Sequence, residues 1–334
     1  MIRIRTPSRL HFGLFSLSRA HAAFWLNHES QATLPKRNFG GVGLMIDRPG
    51  IELTVEYAKT WSAQGPLAAR ALHFAQTYCA AVGIKEPFQM RIETASPEHV
   101  GLGTGTQLGL AVARGIAELT GQTARDANSL ACCVGRGRRS AIGVHGFDLG
   151  GFLIEGGKIS PPTISPLLVR RDFPEDWQIL LITPRDLPGM HGRREHDAFA
   201  ELAGLESDDR CTETLCRLAL LGMLPALIEL DLNTFGEALY DFNRRVGEMF
   251  QHAQGGWYAH PRVEEIVKPL RGAGVKGVGQ SSWGPTVFAL LPSEEVMDVR
   301  AWLIEKGKIA AHEILHTSAC NRGVRAEAPM RKHE

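Results

Sequence analysis

The 334-residue sequence predicts an α+β fold of two domains, residues 1–165 and 175–334. Three observations carry that expectation. In the first half, a strand at Met90–Thr94, a glycine loop at Pro97–Gln107 and an apolar helical run at Leu108–Leu119 follow one another. In the second half the patterning runs β-α-β-β-α-β, the ferredoxin-like order, with extra helices between residues 196 and 260. Between them, residues 160–176 carry four prolines and mixed charge, which suits a boundary.

Ile2–Arg5 alternates and starts a strand that runs into TPSRLHFGLFSL. Residues 18–38 are polar and irregular and predict a loop. Phe39–Asp47 and Ile51–Tyr57 predict strands, the second with Ile51, Leu53, Val55 and Tyr57 on one face. Leu72, Ala75, Cys79 and Val82 lie at helical spacing, and Gly83 is a stop signal. A further helix is expected over Ala124–Val134. Residues 135–157 form a glycine-rich, basic stretch that passes into a short strand at Gly151–Glu155. In the second half, Gln178–Thr183 reads as a buried strand. Phe235, Leu239, Phe242, Val246, Met249 and Phe250 trace one helical face, as do Val263, Ile266, Val267 and Leu270. Strands are expected at Val275–Gly279, Thr286–Leu291 and Ile309–Thr317, and a helix at Val296–Glu305.

Composition narrows the function. Hydrophobic residues make up 44% of the chain, enough for sizeable cores, and the net charge is +1. A nucleic-acid binder would show a strongly basic domain, so a polymer partner is not expected. The N-terminus lacks the apolar core of a secretory signal, and no stretch approaches the roughly 18 uninterrupted apolar residues of a membrane span. The 6 cysteines include no C-x-x-C pair, which predicts reduced thiols and a cytoplasmic protein.

The chemistry gathers in a few stretches. Gly101, Gly103 and Gly105 alternate with small or apolar residues, and Thr104, Thr106 and Gln107 stand at the tip before a buried helix. Glycines let a ligand approach the backbone, and the free N–H groups of a helix start favour an anion, so this loop reads as a phosphate site. A tight turn with glycines for geometry alone is the other reading. Arg136, Arg138 and Arg139 lie among glycines beside Ser140; guanidinium forks suit phosphate oxygens, and a solvated loop face is the alternative. Ser8, Arg9 and His11 gather polar groups after the first strand, and Arg37 follows the long loop, ahead of Gly40 and Gly41. Gln280, Ser281, Ser282 and Trp283 stand at a glycine bend, with Trp283 either stacking on a ligand or filling the core. His191 with His196 and His312 with His316 are the histidine pairs worth testing as metal ligands. Neither has a third-ligand pattern nearby, and zinc is not expected. No nucleophile signature is present.

These stretches together resemble one family. TPSRLHFGL (6–14), FGGVGLMID (39–47), PEHVGLGTGTQL (97–108), GRGRRSAIG (135–143), GGFLIEGG (150–157) and GVGQSSWGP (277–285) are similar to the β-ribofuranosylaminobenzene 5′-phosphate synthase family, in its bacterial branch, within the GHMP kinase superfamily. The resemblance implies an N-terminal β/α domain shared in fold with a small-subunit ribosomal protein and a ferredoxin-like C-terminal domain. It implies condensation of phosphoribosyl pyrophosphate with 4-aminobenzoate, releasing carbon dioxide and pyrophosphate, in tetrahydromethanopterin biosynthesis. Mg2+ is expected, ATP and organic cofactors are not, and a homodimer is expected. Placed on this chain, the central loop with Arg136, Arg139 and Ser140 holds phosphates. Ser8, Arg9, His11 and Arg37, near Gly40 and Gly41, crowd the substrate, and Gln280–Trp283 close the cleft. Against the superfamily pattern P-x-x-x-G-L-G-S-S-A, Pro97, Gly101, Leu102 and Gly103 match, Thr104 replaces the first serine and Gly105 departs from the second.

Two other classes remain open on sequence grounds. One is an ATP-dependent small-molecule kinase of the superfamily. Read in register against Gly150-Gly151, its acid/base aspartate falls on Gly143, and Asp148 is the nearest carboxylate. The other is a non-catalytic binding protein of the same fold.

Overall fold

A computed structural model describes residues 1–16, 37–122, 125–159, 163–185, 187, 189, 192–202 and 209–328. The first half forms strands β1 (Ile2–Leu14), β2 (Gly41–Tyr57), β3 (Ser62–Gln64), β4 (Phe88–Thr94), β5 (Phe152–Glu155) and β6 (Leu167–Arg171). Helices α1 (Ala68–Val82), α2 (Thr104–Leu119), α3 (Ala127–Cys133) and α4 (Ile142–Leu149) lie between them. Gly83 ends α1 in the left-handed region at φ 78°. The second half contains β7 (Trp177–Ile182), α5 (Gly192–Leu202), α6 (Asp209–Arg217), α7 (Leu224–Glu229), α8 (Leu232–Gln254) and α9 (Pro261–Gly272). It continues with β8 (Gly277–Gln280), β9 (Val287–Pro292), α10 (Val296–Glu305), β10 (Ile314–Thr317) and β11 (Arg325–Glu327).

The second sheet runs β10-β7-β9-β8, all antiparallel, with α9 and α10 packed on one face through Val263, Ile266, Leu270 and Leu303. This is the ferredoxin-like arrangement. The larger sheet runs β11-β1-β2-β4-β3, with β5 pairing β2 and β6 pairing β5. Its helix-covered face buries Ile4, Leu53, Val55, Leu108, Val112 and Ile116. Its other face buries Leu10, Phe12, Leu44 and Phe152 against Phe235, Phe242 and Phe288 of the second half. The two halves therefore share one core, with α8 between the sheets.

That core changes the expected division at residues 165–175. β6 belongs to the first sheet, and β11 returns from the far end of the chain to pair with β1. A sheet edge leaves backbone N–H and C=O groups unpaired, and these two strands cover such edges. Two local expectations also shift. The glycine-rich stretch 135–157 contains a helix, α4, because Gly146 lets it lie directly on Met45. Tyr57 shares the face of Ile51, Leu53 and Val55 as expected and stacks near Phe88 at 5.2 Å, but stands exposed at the strand's end. The last expected strand begins only at Ile314, after a 3₁₀ turn at Ala311–Glu313.

Arg210–Glu229 is long and apolar enough, by length and composition, to cross a membrane, although no such span is expected from the sequence. Its Leu215, Ala219, Met223 and Ala226 pack into the shared core beside α8.

One irregularity positions the site. Thr6 pairs with Ile51, but Ser8 pairs with Ile46. A strand's side chains alternate, so a register shift reverses which face they take. Ile4 lies under the helices, whereas Leu10 and Phe12, also even-numbered, lie in the core facing the second half. Arg9 and His11 are thereby turned towards the helix side, where α2 and α4 begin.

Candidate active site

Gly103 caps α2 in the left-handed region at φ 73°, and no side chain caps the helix start. The first N–H groups of α2 thus face outward, as an anion site needs. The loop ahead of them is clamped. The Arg9 N–H donates to Leu102 O at 3.0 Å, the Ser281 hydroxyl to Gly101 O at 2.8 Å, and the Thr104 hydroxyl to Pro97 O at 2.7 Å. Gln107 is fully buried and donates to Gly143 O at 2.7 Å, which ties the loop to α4. Gly101, at φ 87°, lies against Ser281 O with no room for a side chain.

This loop floors an open cleft of about 590 Å³. Arg9, Arg70, Arg136 and Arg139 line it, against the carboxylates Glu98 and Glu195. Arg70 pairs with Glu98, and Arg139 pairs with Glu195 while stacking 4.3 Å over Phe199. Arg9 and Arg136 form no ion pair among the described residues, and the Nε of each is buried without a hydrogen-bond partner. Burial lowers both guanidiniums to about 10, which still leaves them charged at neutral pH. Arg136 lies 5.0 Å over Phe74. Gly105 sits beneath Arg70 and Arg136, and a side chain there would meet both guanidiniums. The departure from serine thus makes room for cations. A Cβ at Gly143 would lie in ordinary contact with Gln107 and Thr106, so the kinase aspartate position does face the loop and holds no carboxylate.

Behind the cleft lies a narrow cavity of about 40 Å³, walled by His11, Phe199, Phe250, Trp257 and Trp283. Ser282 and Trp283 line both spaces. Trp283 is buried edge-on against Phe250 at 4.6 Å and Phe199 at 5.4 Å, so it serves as wall and core together. His11 Nε2 lies 3.0 Å from the Ser140 hydroxyl, which donates to Glu155 Oε1 at 2.5 Å. Burial, with Arg9 adding to it, holds His11 well below its usual range, so the ring is neutral. Burial pushes Glu155 up to about 7, against hydrogen bonds from Ser140 and the Ala141 N–H.

Several expected residues lie elsewhere. The Ser8 hydroxyl bonds to Pro49 O and to Ser96 at 2.7 Å, because alternation along β1 puts it on the face opposite Arg9 and His11. Arg37 is exposed and donates to Gly157 O at 3.0 Å. Gly40 and Gly41 allow close approach to Gly157 and Gly13 rather than to a ligand. Gln280 spends its amide on the Ala259 N–H and on Ser282 O, and so braces the turn from behind. Ser281 joins Gly101 to the His11 N–H. Asp148 is held by Arg114 at 3.1 Å and by the Ala127 N–H at 2.7 Å, outside the cleft lining. His316 bonds to Gln178, and the His191–His196 pair lies outside the described side chains. Sequence reasoning passed over Arg70, Glu98, Glu195 and Glu155. Only Glu155 leaves a local trace, a single carboxylate closing the apolar strand FLIE.

Residues 67–156 match the GHMP kinases N terminal domain, and residues 223–311 match GHMP kinases C terminal. A β-ribofuranosylphenol 5′-phosphate synthase of Archaeoglobus fulgidus is 33% identical, over 98% of this chain and 100% of that protein. Its counterpart from Methanothermobacter thermautotrophicus is also 33% identical, over 86% and 88%. Among solved structures, homoserine kinase from Cytophaga hutchinsonii superposes with a TM-score of 0.65 at 16% identity, over 98% and 97% of the two chains, a likeness of fold alone. By its sequence relatives over nearly its whole length, this chain belongs to the β-ribofuranosylphenol 5′-phosphate synthase family, with the GHMP fold.

Proposed function

We propose that the chain is a decarboxylating pentosyltransferase that joins phosphoribosyl pyrophosphate to a 4-substituted benzoate in methanopterin-type cofactor biosynthesis. The observation that carries this reading is the pair of half-buried guanidiniums, Arg9 and Arg136, which form no ion pair among the described residues and each keep a buried Nε without a partner, beside an uncapped helix start. Such a cleft is short of anions, and the donor brings a pyrophosphate and a 5′-phosphate. The name borne by the relatives describes a ribofuranosyl phosphate carried on a phenol.

The ring carbon bearing the carboxylate attacks the ribose anomeric carbon as pyrophosphate departs. The bond to the carboxylate then breaks, carbon dioxide leaves, and its electron pair restores the aromatic ring. The attacking carbon loses no proton, so an aminobenzoate needs no general base. Arg9 and Arg136 stabilise the departing pyrophosphate. The ring lies at Trp283, with its 4-substituent entering the narrow cavity towards His11. A cavity of about 40 Å³ has room for a hydroxyl or amino group but not for the ring itself.

Magnesium fits the donor set in part. Such an ion is commonly held by one or two carboxylates together with substrate phosphates. Among the described residues, Glu98 and Glu195 are the carboxylates lining the cleft, although each already faces an arginine. When bound, the ion would neutralise pyrophosphate charge.

A kinase of the superfamily is the second reading, and Gly143 weighs against it. The test is incubation with phosphoribosyl pyrophosphate, Mg2+ and a ring-carboxyl-labelled benzoate. Labelled carbon dioxide released only with the donor present is expected. No release, with phosphate transfer from ATP to a small alcohol instead, would sink the reading.

A further inference from the structure

Glu155 is fully buried and makes no ion pair among the described residues. Its neighbours define a directed chain. The Ser140 hydroxyl has one hydrogen and gives it to Glu155 Oε1. Ser140 must therefore accept from His11 Nε2–H and from the Ile142 N–H, at 3.0 and 3.2 Å. This fixes the tautomer of a neutral His11: Nε2 carries the proton, and Nδ1 keeps a lone pair. His11 lines the narrow cavity, and Nδ1 makes no hydrogen bond among the described residues. The other groups facing this chain are Arg9 beside His11, Glu195 across from Arg9, the Ala141 N–H, Ser165 and Lys158. Lys158 spends its ammonium on Gly137 O and Arg138 O, at 2.8 and 2.6 Å.

We infer that Glu155, acting through Ser140, equips His11 to take the proton of a 4-hydroxyl group, and that this chain is what admits a hydroxybenzoate as acceptor. The inference rests on the reaction proposed above. The phenol proton passes to His11 Nδ1, the Nε2 proton to Ser140, and the Ser140 proton to Glu155. The phenolate drives electron density to the carboxylate-bearing carbon, which bonds to the ribose carbon while pyrophosphate leaves with its bonding pair. The resulting cyclohexadienone loses carbon dioxide, the released pair restores a phenolate, and the proton returns along the same chain. An amine needs none of this, because its nitrogen lone pair pushes with both protons in place. Glu155 is a positioning residue, since it touches His11 only through Ser140. Its titration near neutrality, a consequence of burial, suits a group that takes and returns a proton.

The two acceptors supply the control. Turnover of 4-hydroxybenzoate and 4-aminobenzoate would be followed by carbon dioxide release at saturating phosphoribosyl pyrophosphate and Mg2+, for wild type, Glu155→Gln and Ser140→Ala. The ratio of hydroxy to amino turnover is expected to fall about 100-fold or more in both variants. In wild type, the hydroxybenzoate rate should drop as pH falls through about 7, with no matching drop for the aminobenzoate. A merely structural role for Glu155 would lower both rates in proportion. If Glu155→Gln fails to fold, Ser140→Ala, which keeps the carboxylate and cuts the link, is read by the same ratio. A ratio within about threefold of wild type would overturn the inference. So would a wild-type enzyme that uses only the amino acceptor, which leaves the reaction standing. Absence of carbon dioxide from wild type with either acid would overturn the reaction itself, and the relay with it.

Discussion

At the C-terminal end of α4, Asp148 gives one carboxylate oxygen to Arg114 and the other to the Ala127 N–H. Around the N-terminal end, Arg136 keeps an Nε without a partner, Gly143 brings no carboxylate to Thr106, and Glu155 lies buried with no ion pair among the described residues. The two carboxylates come from one short stretch of chain and share a residue class. One has both oxygens committed to neighbouring elements and holds α2, α3 and α4 together. The other is kept in a setting that disfavours its charge. Buried polar groups are ordinarily paired, so groups left short of partners mark where a ligand or a proton is awaited.

The largest expected effect tests this contrast through pH. Glu155 binds its proton more readily folded than unfolded. Its contribution to stability is present below about 4.5 and is lost as pH rises through about 7. At about 1.36 kcal/mol per unit, the loss amounts to roughly 3 kcal/mol. His11 has the opposite sign, since burial depresses it and its contribution is lost as pH falls below 6.5. Comparing wild type with Glu155→Gln isolates the carboxylate. The variant should gain stability relative to wild type between pH 5 and pH 8 in denaturant titrations. Parallel pH profiles for the two proteins would erase the distinction between the ends of α4.

Arg136→Ala comes next. A charge-assisted hydrogen bond contributes about 1.5–3 kcal/mol, so kcat/KM for phosphoribosyl pyrophosphate should fall about 10- to 100-fold. Arg139→Ala should cost less, because its guanidinium already pairs with Glu195. Steady-state kinetics showing equal losses would mean that the pairing with Glu195 is given up on binding.

Asp148→Asn should lower stability by about 1.5 kcal/mol, through its bonds to Arg114 and Ala127, while kcat stays within a few-fold of wild type. Complete loss of turnover in a folded Asp148→Asn protein would return the kinase reading. The smallest effect is expected for Arg138→Ala. Arg138 is exposed, outside the cleft lining, and its carbonyl rather than its guanidinium serves Lys158. Its kinetics should match wild type.

What the sequence by itself determined was local. Gly101, Gly103 and the apolar run behind them specify a loop and a buried helix through backbone geometry and periodicity, both of which act over a few residues. The ferredoxin-like order was legible for the same reason, in helical faces such as Phe235–Phe250 and in the strand Trp177–Ile182. Tertiary structure decided which polar groups meet. Simple alternation along β1 would leave Arg9 and His11 on the face of Arg3 and Arg5, which pair with Glu52 at the surface. The register shift between Thr6 and Ser8 moves them inward, and it exists only because β2 pairs there. Glu155 becomes a site residue only when β5 pairs with β2 and brings it under Ser140. Arg70 and Arg136, far apart in sequence, converge on Gly105. Strand pairing and helix packing set these meetings over long separations, and no local pattern of residues encodes a distance across the fold.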